Sequence, residues 1–119
     1  MKKLLLALML LSPFSFADWG DVYYCQMTSH SGTDDEGKET NYNLQRFQFK
    51  VDETKNAMVF GAGGYFEGSV LPITYYHPNE EWVEMRDEYS MGAFRKGKFL
   101  YALVISSKMK TLTADCDKF

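Results

Sequence analysis

Apolar and polar residues alternate most regularly over residues 44–51, where Phe47, Phe49 and Val51 fall on one parity and Arg46, Gln48 and Lys50 on the other. A period of two predicts a strand with one packed and one wetted face. The stretch that organises the chain comes later, at residues 99–116 (FLYALVISSKMKTLTADC). An apolar run ends at Ile105, Ser106, Ser107 and Lys108 make a polar break, and alternation resumes from Met109 to Cys116. This reads as two strands joined by a tight turn.

The same pattern extends in both directions. Residues 21–27 are dense in Val and Tyr, and as a strand they place Tyr23, Cys25 and Met27 on one face and Val22, Tyr24 and Gln26 on the other. Residues 28–41 are polar, glycine-punctuated and acidic, which predicts a surface loop. A turn at 52–56 leads to a short strand at 57–60, and Gly61, Gly63 and Gly64 then interrupt regular structure. Residues 65–76 resume it, with Gly68 and Pro72 marking a bend or an edge position. Turn residues at 77–80 precede a strand at 82–86, a turn at 87–88, a strand at 89–94 and a hairpin turn at 95–98. No window carries a helical stripe longer than two turns. The predicted fold is therefore all-β, a single small antiparallel β-barrel or compact sandwich of seven to eight strands.

The first residues do not share this pattern. Lys2 and Lys3, an apolar core from Leu4 to Leu11, and small residues at Ser15 and Ala17 predict a secretory signal peptide over 1–17 and a β-barrel-like domain over 18–119. Eight unbroken apolar residues fall far short of the roughly 20 that span a bilayer, so no membrane span is expected. Removing Lys2 and Lys3 leaves 11 basic against 16 acidic residues, a formal charge of −5. An acidic domain lacks the concentrated basic face that nucleic acid requires, and its charge suits a cationic partner. A periplasmic or secreted location is oxidising, so Cys25 and Cys116 are expected to pair.

Candidate chemistry is sparse. The run GAGGYFEG at 61–68 has Phe66 where a dinucleotide fingerprint needs glycine, and it reads as a turn or bulge. His30 and His77 stand among loop-type residues and read as exposed loop histidines, with no nucleophile elbow or paired-histidine spacing to make a catalytic or metal site. The loop from Asp34 to Glu39 holds four carboxylates without the spacing of a calcium loop; solvated loop is the expectation, and calcium stands open at this point. No cofactor is implied. Aromatic content carries the one binding signal: Tyr75, Tyr76, His77 and Trp82 bracket the turn at 77–81, and Tyr and Trp combine contact area with a polar handle.

The segments Val22-Tyr23-Tyr24-Cys25, Gly97-Lys98-Phe99-Leu100-Tyr101 and Thr113-Ala114-Asp115-Cys116-Asp117-Lys118-Phe119 resemble a group of short exported proteins of unknown function from marine bacteria and phages. More loosely, Tyr23-Tyr24-Cys25 and Ala114-Asp115-Cys116 are similar in layout to periplasmic inhibitors of C-type lysozyme, which are small β-barrels. That second resemblance implies inhibition of a basic enzyme. The functional expectation is an exported, non-enzymatic binding module acting on a protein or cell-envelope partner. A carrier holding a small apolar ligand inside the barrel is the alternative.

Overall fold

The structure, a computed structural model, describes residues 19–119; the expected signal peptide lies outside the described residues. Nine strands follow in order: β1 (Val22–Thr33), β2 (Glu39–Asn41), β3 (Arg46–Asp52), β4 (Ala57–Phe60), β5 (Val70–His77), β6 (Trp82–Arg86), β7 (Ser90–Arg95), β8 (Lys98–Ile105) and β9 (Lys108–Lys118). A 3-10 turn, Pro78–Glu80, joins β5 to β6. From β3 onward each strand pairs antiparallel with the next, and β1 pairs with both β3 and β9. Eight strands thus close into an antiparallel barrel, and β2 is added to the far end of β1 beyond the ring.

The hairpin at 99–116 forms as the pattern predicts. Ile105 pairs with Lys108, and Ser106 and Ser107 both adopt positive φ (51° and 61°), the two-residue primed turn that matches strand twist. β9 then runs back along β1, where Cys25 faces Cys116 as a register partner and the two are joined by a disulfide. The first and last strands are therefore stitched both by their ladder and covalently.

Inside the ring the inward parity is apolar except at His30 and Ser90. Tyr23, Phe49, Phe94, Phe99, Met27, Met58, Met85 and Leu112 are fully buried, and Phe47, Phe60 and Phe66 join them. Each such side chain contributes about 1.5–3 kcal/mol relative to exposure. The rings touch in a continuous series, Tyr23 to Phe94 at 4.5 Å, Phe94 to Phe49 at 5.2 Å and Phe60 to Phe66 at 4.4 Å. Large side chains fill the lumen, as in small barrels whose interiors hold no channel.

Three sequence expectations need correction. Residues 28–33 continue β1 rather than opening a loop, because β9 on one side and β2 on the other satisfy their backbone groups. Residues 65–69 belong to the β4–β5 connection, yet Phe66 turns inward and plugs the barrel end against Phe47, Phe99 and Tyr101. Arg95 and Lys98 are strand residues, and only Lys96 and Gly97 form the turn.

Candidate functional site

Two β-bulges decide which side chains reach the outer wall. In β5, Ile73 pairs with Met85 and Tyr75 with Glu84, so Thr74 is an extra residue. Strict alternation from the buried Ile73 would send Tyr75 and His77 inward. The bulge reverses the parity beyond it, so Tyr75 and His77 face out while Tyr76 faces in, opposite the buried Val83. Of the four residues singled out in the sequence, three therefore share one outer patch. Tyr76 instead closes the barrel end beneath Trp19, their ring centroids 4.4 Å apart.

The patch has defined geometry. Tyr75 lies 5.0 Å from Trp82 and stacks at 19° to His77, 6.4 Å away. His77, Trp82 and Arg95 are register partners across β5, β6 and β7. The Arg95 guanidinium sits 4.5 Å over the Trp82 ring and pairs with Glu80 at 3.6 Å. His77 Nδ1 is buried without a hydrogen-bond partner among the described residues. Glu81, in a left-handed conformation (φ 50°), has its carboxyl pushed above the usual range by burial first, with Asp21 adding to it and Lys118 and Lys96 opposing. Those partners set the Glu81 carboxyl apart from the patch, whose acidic neighbours are Glu80, paired with Arg95, and Glu84, opposite Tyr75.

The patch continues onto an apolar wall that the sequence reading left unassigned. Tyr75, Glu84, Ala93 and Leu100 form one cross-strand row, and Met91 and Ala102 form part of the next. Leu100 is 53% exposed and Met91 50%, on a face that ordinarily carries polar residues. They border a shallow groove of about 340 Å³ with Ala93, Thr111 and Thr113. The signal was present in residues 99–105, which are apolar on both parities.

The second bulge, at Thr28 in β1, has the opposite outcome for a histidine. Met27 pairs with Ala114 and Ser29 with Thr113, which brings His30 inward opposite Leu112. His30 is thus 5% exposed, contrary to the expectation of an exposed loop histidine. Its ring lies between Tyr42 (4.9 Å) and Tyr65 (4.8 Å), its Nδ1 donates to the Asn43 carbonyl at 3.3 Å, and its Nε2 is buried without a partner among the described residues. Burial pushes the Tyr65 phenol up, and Tyr101 and Tyr42 add to it.

The acidic loop also has a structural role. The Asp34 carboxylate accepts the backbone N–H groups of Glu36 (3.0 Å) and Lys38 (2.9 Å), a side-chain turn that folds the tip back on itself. Among the described residues no group of three or more His, Cys, Asp or Glu side chains is placed to hold a metal ion, and no helix is long and apolar enough to cross a membrane. No family model, curated protein or solved structure matches the chain.

Proposed function

We propose that this chain is a non-enzymatic binding module, exported to the periplasm or beyond, that docks a cationic protein of the cell envelope through the outer wall of β5–β8. The observation that carries the reading is the outward cluster of Tyr75, His77, Trp82 and Arg95, continuous with exposed Leu100 and Met91. Trp, Tyr and Arg are the residues that dominate interface energetics when they converge on a rigid surface. Glu80 and Glu84 beside the patch and the net charge favour a basic partner, and the loose sequence resemblance to lysozyme inhibitors makes C-type lysozyme the first probe. The filled lumen weighs against the carrier alternative.

The test is binding of immobilised C-type lysozyme and capture from a periplasmic extract, each with the wild type and with a Tyr75→Ala/Trp82→Ala double variant. A basic protein retained by the wild type and lost by the variant is expected. Identical capture by both proteins would remove the patch from the function.

A further inference from the structure

We propose that the outer wall formed by β9, β1 and β3, away from the Trp82 patch, is a second site that takes a neutral, hydroxyl-rich glycan. A groove of about 520 Å³ lies there, within the range of small-ligand sites. Its floor is two cross-strand rungs: Asp117, Tyr24 and Gln48 in one, Asp115, Gln26 and Arg46 in the next. Its wall is the 62–64 segment of the β4–β5 connection. Gly61 N–H donates to the Gln48 carbonyl at 3.0 Å and Tyr65 N–H to the Arg46 carbonyl at 3.4 Å, which holds that wall upright. Gly64 adopts φ +105°, and a Cβ there would stand 2.5 Å from the Arg46 carbonyl oxygen, so glycine is what lets the loop approach this closely.

The lining chemistry selects the ligand. Side-chain amides donate and accept, carboxylates accept, and a guanidinium and a phenol donate, all repeated at strand spacing, which suits adjacent sugar hydroxyls. The Tyr24 ring, 48% exposed and steadied edge-on by Phe119 at 5.4 Å, offers a surface for the C–H face of a pyranose. Anions are opposed by Asp117, whereas Asp115 is paired with Lys98 Nζ at 2.5 Å and Arg46 Nε donates to Gln26 Oε1 at 3.0 Å. An extended peptide finds no free ladder, since β1 is paired on both sides along the groove. The disulfide fastens β1 to β9 at the groove floor, so the site is preorganised.

The experiment is a titration of ¹⁵N-labelled, disulfide-intact protein with chitotetraose and, separately, cellotetraose. Saturable shifts at the Gln26 and Gln48 side-chain amides and the 61–64 backbone, with a Kd of about 1 mM or tighter, are expected for at least one sugar. Tyr24→Ala and Asp117→Asn, both at exposed positions, should each weaken that sugar about tenfold, and Trp82→Ala should leave it unchanged. Absence of saturable shifts with both sugars overturns the proposal. So do shifts centred on Trp82, or wild-type affinity in both groove variants. Because Trp82 is the control, failure here is distinguishable from failure of the protein-docking reading.

Discussion

Two histidines follow two threonine bulges and meet opposite fates. Beyond Thr28 the parity of β1 reverses and His30 enters the barrel between Tyr42 and Tyr65; beyond Thr74 the parity of β5 reverses and His77 emerges beside Trp82. The residue type is the same and the local device is the same. What differs is the spacing beyond the bulge: an inward residue, Met27 or Ile73, precedes each threonine, but His30 stands two residues after Thr28 and His77 three after Thr74, so one imidazole goes to packing and the other to the surface.

The contrast is sharpest at the seam. The β1 bulge lies in the pairing that the disulfide locks, whereas the β5 bulge has only its ladder and the Thr74 hydroxyl donating to the Glu84 carbonyl at 3.4 Å. Replacing Cys25 and Cys116 with alanine is expected to cost about 3–4 kcal/mol in chemical denaturation. Amide exchange should quicken at β1 and β9, His30 included, more than at β5 and β6; uniform acceleration would show that the two bulged regions do not differ in this way. Next in size, His30→Ala should cost about 2–4 kcal/mol, because it opens a cavity between two rings, against about 0.5 kcal/mol for His77→Ala. Equal costs would erase the comparison.

A smaller effect is expected on the outer patch itself. Arg95→Ala removes a guanidinium from a half-buried indole and an exposed pair with Glu80, and should cost about 0.5–1 kcal/mol of stability while changing Trp82 fluorescence. The smallest effect belongs to Asp87, in the β6–β7 turn at the barrel end near His30. Burial pushes its carboxyl up, but hydrogen bonds from the Ser90 hydroxyl and the Tyr89 and Ser90 amides outweigh burial and hold it below the usual range. Its contribution is therefore complete above the ordinary carboxylate range and is lost as pH falls through the lowered value. Melting curves between about pH 5 and 2 should show a wild-type loss that is reduced in Asp87→Asn.

Strand order was legible wherever a period of two ran unbroken. Residues 46–51 of the predicted 44–51, residues 57–60 and 82–86, and both arms of the 99–116 hairpin lie in strands, because side chains of one parity share a core face. Residues 28–33 defeated that reading. Thr28 and Ser29 both direct hydroxyls to Thr113 across the bulge, at 2.7 and 2.6 Å, and such a run of small polar residues imitates a loop. The aromatic cluster at 75–82 was visible by composition, but its split, Tyr76 inward and the others outward, depends on a register shift that only pairing reveals. Arg95 was hidden for the same reason, since its place over Trp82 comes from a neighbouring strand. Phe66 could have been suspected as a large apolar residue among glycines.

Closure of the ring has a consequence in time. Seven of the eight barrel contacts join strands near one another in sequence, but β1 must find β9 across a separation of 91 residues at the cysteines. Loops of that length close late. Neighbouring hairpins can assemble while the cylinder is still an open, curling sheet with two unsatisfied edges, and an intact sulfur–sulfur bond tethers those edges from the start. The ratio of refolding rates with the cysteine pair oxidised and reduced thus measures how much of the folding time is spent on that one long-range search.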